Sequence, residues 1–198
     1  MSRAYQIMYR LGITPWEHRE PPVPLTDLVE GPHALPPGDM LDIGCGTGHD
    51  AIYCARHGWT VTGVDVVGRA VETARRNAGQ AGASLRFLQA DIAGPGTAAD
   101  LGSGYTLLLD GGCLHGLRDE PLRRAVATIT DAAKPGAVLL MLAFAPGRRG
   151  PAPRGIDPAR LPALFPQWDL TFSRPASEIT MNRAMRDANP SWHQFVRQ

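Results

Sequence analysis

The feature that most restricts the fold of this chain is a glycine-rich turn placed directly after an apolar run. The run Met40–Ile43 is followed by Gly44-Cys45-Gly46-Thr47-Gly48, and a helical pattern begins at His49. Glycines at such a junction let the backbone turn tightly and let a ligand approach the amide groups. The turn therefore predicts a strand–turn–helix unit that holds a nucleoside-type ligand.

Apolar runs and helical patterns alternate along the chain, as α/β folds require. Two further strands are predicted near the C-terminus. In chain order the predicted strands are Met40–Ile43, Trp59–Val64, Leu85–Leu88, Tyr105–Leu109, Ala137–Phe144, Trp168–Phe172 and Trp192–Val196.

Three helices are predicted between these strands from the 3.6-residue period of their apolar positions. The first, His49–His57, places Ala51, Ile52 and Ala55 on one face and ends before Gly58. The second is Arg69–Ala78, with Ala70, Val71, Ala74 and Ala78 on its apolar face. The third starts at Glu120-Pro121, buries Leu122, Val126 and Ile129, and ends at Lys134-Pro135-Gly136.

This alternation predicts the α/β class: a Rossmann-like, doubly wound, mostly parallel seven-stranded sheet with helices on both faces and an antiparallel C-terminal edge hairpin. We expect one domain, with residues 1–38 as an N-terminal cap, 39–146 as the cofactor-binding core, and 147–198 as the substrate-side loop and edge strands. Residues Gly147–Pro162 are rich in proline, glycine and arginine, which predicts a loop or lid rather than a core element.

Acidic residues at the ends of the predicted strands narrow the choice of ligand. The dinucleotide fingerprint needs a third glycine where this chain has His49, so the compact GxGxG form favours S-adenosylmethionine. Asp65 ends the second strand, where a carboxylate accepts hydrogen bonds from ribose hydroxyls. Asp91 and Ile92 follow the third strand and form a candidate clamp for the adenine edge. The alternatives are a plain tight turn at the glycines and helix N-caps at Asp65 and Asp91.

Composition argues for a small-molecule partner. Lysine and arginine number 20 against 19 acidic residues, so a net charge of +1 supplies no field for nucleic acid or an anionic membrane. The longest apolar run, Ala137–Ala145, is too short to span a bilayer, and Met1–Arg10 lacks the core of a signal peptide. The three cysteines have no CxxC spacing, so neither a disulfide framework nor a metal site is expected. We predict a cytoplasmic protein, monomeric or homodimeric.

Several segments resemble class I S-adenosylmethionine-dependent methyltransferases, and in particular the thiopurine, thiol and halide methyltransferase group. The cofactor half carries LDIGCGTGHDAIYCARHGWTVTGVDVVGRAVETAR. Outside it, Gly12-Ile13-Thr14-Pro15-Trp16-Glu17 resembles the GxxPW entry motif of that group, and Leu109-Asp110-Gly111-Gly112-Cys113-Leu114-His115 resembles its fourth-strand motif. Pro190-Ser191-Trp192 resembles the last strand of small members.

The resemblance implies methyl transfer to a small acceptor, with a sulfur acceptor favoured. An O- or N-methyltransferase remains an alternative, as does a non-methylating S-adenosylmethionine-binding protein such as a sensor or cyclase. The residues that it implies for cofactor binding are Trp16, Asp42, Gly44, Gly46, Gly48, Asp65, Val66, Asp91, Ile92 and Asp110.

Candidates for the acceptor side follow the fourth strand or precede the first. His115 is the candidate general base, although a histidine there can also satisfy a backbone group or cap a helix. Cys113 is expected to line the pocket rather than to act as a nucleophile. Tyr5, Tyr9 and Trp16 form either a lid over the sulfonium or an apolar flap, with Tyr9 reaching the substrate. The arginines of the Pro-rich segment either recognise an acidic acceptor or are solvated: Arg148, Arg149, Arg154 and Arg160.

Overall fold

A computed structural model describes residues 6–8, 20–32, 34–147, 153–177, 179 and 187–198. Its helices are α1 (Val23–Val29), α2 (His49–Arg56), α3 (Gly68–Ala81), α4 (Thr97–Leu101), α5 (Asp119–Ala132) and α6 (Leu161–Leu164). Its strands are β1 (Asp39–Ile43), β2 (Thr60–Asp65), β3 (Arg86–Gln89), β4 (Tyr105–Asp110), β5 (Ala133–Ala143), β6 (Trp168–Pro175) and β7 (Ser191–Arg197). Short 3-10 turns occupy Leu114–Gly116 and Pro158–Arg160.

Within the described ranges, the strands form one seven-stranded sheet in the order β3-β2-β1-β4-β5-β7-β6. Neighbouring strands are parallel in the pairs β1–β2, β2–β3 and β4–β5, whereas β7 runs antiparallel to both β5 and β6. The predicted fold class, a mostly parallel Rossmann-like sheet with an antiparallel C-terminal hairpin, is confirmed.

The residues divide into two compact units, which meet in the sequence between Ile92 and Ala93. In the first, α3 buries the four residues that its period predicted: Ala70, Val71, Ala74 and Ala78. In α2 the prediction is wrong at one position, because Cys54 is fully buried and Ala55 is only half-buried. Cys54 and Ala55, three and four positions after Ala51, both lie close to the helix face that contains Ala51. The helix is rotated so that Cys54 is the one that packs into the core.

The core of the second unit is built on β4, β5 and β7. Leu108, Leu140 and Phe195 are fully buried, and the ring of Phe165 stacks on Phe195 with centroids 4.8 Å apart. Apolar runs in β4 and β5 are typical of strands covered on both faces.

Two predicted boundaries in this unit are wrong. Strand β5 begins at Ala133 instead of Ala137, because Ala133 already pairs with Tyr105 and the extra residues are absorbed where the register shifts after Tyr105. The segment Gly147–Pro162 is not wholly a surface loop either. Its described part, from residue 153 onward, contains a 3-10 turn and the start of α6, and Ile156 and Leu161 are buried.

Candidate functional site

The turn after β1 has the backbone that its glycines predicted. Gly44, Gly46 and Gly48 have φ angles of 72°, 51° and 82°, which lie in the left-handed region that residues other than glycine rarely adopt. The amides of Gly44 and Cys45 donate to the carbonyl of Val64 at the end of β2, over 2.8 and 3.1 Å. These two backbone bonds tie the turn to the neighbouring strand.

Asp65 makes a second link between the same two segments. Its Oδ2 accepts from the amide of Gly46 over 3.1 Å, and its Oδ1 accepts from the amide of Val67 over 2.8 Å. The residue is 6% exposed, and this burial raises the pKa of its carboxyl although the amide bonds oppose the shift. The backbone amide of Val66 adds a third hydrogen bond to this carboxylate.

Asn77 and Phe87, neither of which the sequence analysis identified, support the turn from outside. The side-chain amide of Asn77 on α3 donates to the carbonyl of Thr47 over 3.0 Å. A Cβ at Gly48 would lie 2.9 Å from Cζ of Phe87, and one at Gly63 would lie 2.7 Å from its Cδ1. Phe87 therefore occupies the space that the two glycines leave. The sequence signal for this packing is weak, since only Gly63 within a buried strand hints at close approach.

Thr47 provides a test of whether the turn suits a polar ligand. Its hydroxyl is buried, and among the described residues it finds no hydrogen-bond partner. Buried polar atoms are nearly always satisfied, so an orphaned hydroxyl in a left-handed glycine turn fits a ligand that supplies the missing bond. The polar groups at this turn are backbone amides, one hydroxyl and one carboxylate. Together they suit a nucleoside that carries an amino-acid group.

The other predicted cofactor residues of the first unit differ in burial. Asp42 is 4% exposed and Ile92 is 5% exposed, whereas Val66 is half-buried and Asp91 is exposed. Burial, and then the charges of Asp42 and Asp50, raise the pKa of the Cys54 thiol, so this cysteine is an inert core residue. Val66 and Asp91 are the members of this group with surface open to a ligand.

In the second unit, Asp110 is fully buried at the end of β4. Its Oδ1 accepts from the amides of Gly112, Cys113 and Leu114 over 3.1, 2.6 and 3.2 Å. Burial raises the pKa of this carboxyl to about 7, and the three amide bonds limit the rise. The described contacts of Asp110 thus shape the turn that follows it, and its contact with a methionine group stays a prediction.

That turn carries His115, which is 2% exposed. The amide N–H of Phe144, just after β5, donates to Nδ1 of His115 over 3.0 Å, and the two rings lie with centroids 4.5 Å apart. Cys113 in the same turn is half-buried. Phe144 was not a sequence candidate, and its partnership with His115 has no local sequence signal.

The remaining candidates divide between described and undescribed residues. Outside the described residues lie Tyr5, Tyr9, the motif at 12–17 with Trp16, Arg148 and Arg149. Arg160 is described, and its guanidinium lies 3.5 Å from the carboxylate of Asp119 in an exposed ion pair. Such a pair contributes little to stability and leaves no sign of an acidic ligand there.

None of the helices in the described ranges has the length and apolar character needed to cross a bilayer. In the same ranges, His, Cys, Asp and Glu side chains nowhere gather in threes that could hold a metal ion.

Comparison with known proteins relates the first unit and the start of the second to one family. Residues 40–136 match the family described as "Methyltransferase domain". A 2-heptyl-1-hydroxyquinolin-4(1H)-one methyltransferase of Mycobacteroides abscessus is 29% identical over 167 residues, which cover 82% of this chain and 71% of that protein.

A second relative is a ribosomal RNA small subunit methyltransferase C of Alcanivorax borkumensis, 30% identical over 122 residues, or 60% of this chain. The chain spans 36% of the length of that relative.

Among solved structures, one described as "Conversion of a Disulfide Bond into a Thioacetal Group during Echinomycin Biosynthesis" superposes with a TM-score of 0.75 at 23% identity. The superposition covers 100% of this chain and 93% of the other. Other neighbours, at TM-scores of 0.68 to 0.72, include two N-methyltransferases with bound S-adenosylhomocysteine and a [4+2]-cyclase. These likenesses show the fold.

Proposed function

We propose that this chain uses S-adenosylmethionine to methylate a small-molecule acceptor, with a sulfur acceptor favoured, because residues 40–136 match the family described as "Methyltransferase domain". The observation that carries the proposal is the bond from the Gly46 amide to the Asp65 carboxylate, over 3.1 Å. It brings together the glycine turn and the carboxylate that the sequence assigned to the ribose hydroxyls.

Each part of the cofactor has candidate residues. We assign the glycine turn, with Gly44, Gly46 and Gly48, and the partnerless Thr47 hydroxyl to the methionine and ribose side. The Asp65 carboxylate is assigned to the ribose hydroxyls. For the adenine edge and the methionine end, the proposal assigns Asp91, Ile92, Val66, Asp42 and Asp110, and Trp16 covers the cofactor from the N-terminal segment.

S-adenosylmethionine supplies a methyl group on a positively charged sulfur, which a nucleophile attacks in line with the carbon–sulfur bond. Such a reaction needs alignment and exclusion of water more than it needs acid–base catalysis. What this chain is proposed to contribute is therefore a turn that holds the cofactor and side chains that contact the acceptor, for which the candidates are Cys113, His115 and Tyr9. Of these, Cys113 is half-buried and His115 is buried.

The sulfur preference is supported by the likeness of Leu109–His115 to the thiopurine, thiol and halide group. The neighbour involved in forming a thioacetal from a disulfide adds to this support. The second candidate is O- or N-methylation of a small molecule, favoured by the 2-heptyl-1-hydroxyquinolin-4(1H)-one methyltransferase whose match covers 82% of this chain. A third, cofactor binding without methylation, is favoured by the cyclase neighbour.

The test begins with calorimetric titration of S-adenosylhomocysteine into the wild type, Asp65→Asn and the control Asp131→Asn, an exposed position on α5. Asparagine at 65 turns a donor toward one of two amide donors, so we expect affinity to fall about 10- to 100-fold. The control should bind like the wild type. If neither the wild type nor the control binds, cofactor use by this chain is refuted.

Mass spectrometry then separates the candidate reactions. The protein is incubated with S-adenosylmethionine and a panel of thiols, hydroxy-heteroaromatics, phenols and amines, and each mixture is searched for the mass of one added methyl group. A methylated thiol supports the sulfur proposal, and a methylated oxygen or nitrogen compound alone transfers the assignment to the second candidate. Binding without any methylated product identifies the non-methylating reading.

A further inference from the structure

Residues 153–156, the return segment, bring the chain back to the carboxyl end of β5. The amide of Ile156 donates to the carbonyl of Phe144 over 2.9 Å, and the amide of Gly147 donates to the carbonyl of Arg154 over 3.0 Å. Phe144 directly follows β5, so these bonds anchor the segment beside the end of that strand. The carboxyl ends of the strands are where doubly wound sheets bind their ligands. The return segment therefore lies on the side of the sheet where an acceptor is expected.

Gly155 sets how closely the return segment approaches the end of β5. Its φ is 77°, and a Cβ built on it would lie 2.5 Å from the carbonyl oxygen of Phe144 and closer still to that of Ala145. Both oxygens belong to the backbone, which cannot move aside as the end of a flexible side chain can. Glycine is therefore required here, because main chain packs directly on main chain. This packing, together with the two hydrogen bonds, fixes the backbone position of Arg154.

The return segment also contacts the turn after β4. A Cβ built on Gly116, which ends that turn, would lie 3.9 Å from Cβ of Pro153. Arg154 is the residue after Pro153, and Arg118, the N-cap of α5, lies two residues after Gly116. The same turn carries the acceptor-side candidate His115. The backbone thus brings two arginines next to the turn in which an acceptor-binding side chain is proposed.

The charges of Arg118 and Arg154 have no counter-charge among the described residues. Both side chains are exposed, and neither guanidinium forms an ion pair or a hydrogen bond with another described residue. The acidic residues nearest to them in sequence are engaged elsewhere: Asp119 with Arg160 over 3.5 Å, Glu120 with Arg123 and Arg124 over 3.5 and 3.1 Å, and Asp157 with the amide of Ala159 over 3.0 Å. Two positive charges therefore remain available to a ligand.

Local stability does not account for these two side chains. Arg118 stands at the start of α5, where a positive charge opposes the helix dipole, and its side chain makes no capping hydrogen bond. Arg154 joins the return segment through its backbone carbonyl, a group that any residue would supply. Neither guanidinium is therefore needed for the hydrogen bonds that hold this part of the fold together.

We propose that Arg118 and Arg154 bind a carboxylate of the methyl acceptor, and that the acceptors of this enzyme are small compounds that carry a carboxylate in addition to the reacting atom. This inference rests on the proposed methyl transfer. A guanidinium presents pairs of N–H donors that match the two oxygens of a carboxylate. The arginines hold the acceptor by a group that does not react, so they position it and form no covalent bond with it.

The acceptor class is tested with pairs of compounds that differ in charge. Each pair is a para-substituted benzoate and its carboxamide, and the reacting substituent is a thiol, a hydroxyl or an amino group. We expect the wild type to methylate the benzoate of the reacting pair with a kcat/KM at least about tenfold above that of the carboxamide, because charge-assisted hydrogen bonds are the stronger ones. Equal methylation of both members would refute this proposal and leave the proposed function intact.

Arg118→Ala and Arg154→Ala test the two residues, and Arg123→Ala is the matched control. The control also removes one exposed positive charge, while Glu120 keeps its bond to Arg124. We expect each of the first two variants to lower the benzoate-to-carboxamide ratio of kcat/KM about three- to tenfold, through a higher KM for the benzoate. Arg154→Lys keeps the charge and should lower the ratio less than Arg154→Ala does. An equal fall in the control, or an unchanged ratio in both test variants, would overturn the proposal.

A binding measurement covers the case in which no pair reacts. The methylated thiol product, para-methylthiobenzoate, is titrated by calorimetry into the full chain saturated with S-adenosylhomocysteine, and para-methylthiobenzamide is titrated in parallel. We expect the benzoate to bind the wild type at least about threefold more tightly than the benzamide. A wild type that binds both equally, or binds neither, would contradict the proposal.

The role of the return segment is tested in the same titrations with Gly155→Ala. The added Cβ must displace the segment from Phe144 and Ala145, so we expect the preference for the benzoate to shrink although both arginines remain. Gly136→Ala is the control, because Gly136 has a similar φ of 79° but no atom within 4 Å of the Cβ that it would gain. A folded Gly155→Ala protein that keeps the full preference would show that the return segment does not place Arg154 for binding.

Discussion

The turns after β1 and after β4 solve a similar problem in different ways. Each is held by a buried carboxylate at the end of a strand that accepts backbone amides: Asp65 of β2 holds the turn at Gly44–Gly48, and Asp110 of β4 holds the turn that ends at Gly116. Asp65 reaches an amide 19 residues away, whereas the partners of Asp110 lie within four residues of it. The first carboxylate joins two segments, and the second shapes one.

The two turns therefore depend on different groups. In the proposed function, the first turn acts through the shape of its backbone, which depends on glycine and on a distant carboxylate. The second turn carries the candidate His115, and its distant link is the bond from Phe144, 29 residues away. Substitutions should therefore affect the first turn through its backbone and the second through the titration of Asp110.

The largest effect is expected from Gly48→Ala. Alanine must adopt the φ of 82°, which costs about 1–2 kcal/mol, and its Cβ would lie 2.9 Å from Cζ of Phe87 and 3.1 Å from Cβ of Ala74. We expect affinity for S-adenosylhomocysteine, measured by calorimetry, to fall at least about 100-fold, because strain and overpacking add to roughly 3 kcal/mol.

Gly82→Ala is the matched control for this change. Gly82 ends α3 with a φ of 64°, yet no atom lies within 4 Å of the Cβ that it would gain. It should lose about 1 kcal/mol of stability in urea unfolding and keep its ligand affinity. Adding Phe87→Leu to Gly48→Ala should restore part of the affinity. A double variant that binds no better than Gly48→Ala would show that contact with Phe87 does not cause the loss.

The second turn should make the stability of the folded protein depend on pH. Burial raises the pKa of Asp110 to about 7 in the folded protein, against 3.8 for an ordinary aspartate. Between these values the folded state holds a proton that the unfolded state has lost, so the free energy of unfolding falls as pH rises through this window. Each pH unit well inside the window changes the contribution of this group by about 1.4 kcal/mol at most.

Asp110→Asn should remove that slope, since asparagine keeps an oxygen for the amides but does not titrate. Urea unfolding at pH 5 and pH 7.5 is the measurement. We expect the wild type to lose stability between the two values by at least about 1 kcal/mol more than the variant does. Asp131→Asn, on the exposed side of α5, should keep the wild-type slope, and an equal slope in all three proteins would show that Asp110 does not titrate in this window.

The sequence predicts the first turn better than the second. The strands, the glycine turn and the buried face of α3 are local patterns, and they were predicted to within a few residues. The pairing of His115 with Phe144 was not predictable, because it depends on how β4 and β5 align and the chain between them contains a whole helix. The sequence identified His115 but not the hydrogen bond that its Nδ1 accepts from the Phe144 amide.

The errors in the fold have a similar physical origin. Lys134-Pro135-Gly136 is a strong turn signal, yet those residues lie within β5 because the sheet absorbs them next to the register shift after Tyr105. Proline and arginine near Leu161 predicted a loop, and tertiary packing buries that leucine completely. Local composition describes what a segment can do alone, and contacts with distant strands decide the rest.

The smallest effect, and the sharpest test of support for the first turn, is expected at Asn77. Asn77→Ala removes the 3.0 Å bond to the Thr47 carbonyl but improves helix propensity, so stability in urea should change little while affinity for S-adenosylhomocysteine falls about three- to tenfold. Asn77→Asp should bind more weakly still, because a carboxylate would face that carbonyl. Arg76→Ala removes only an exposed contact with Thr73 and should bind like the wild type. If Asn77→Ala and Arg76→Ala bind equally well, the glycine turn holds its shape without α3.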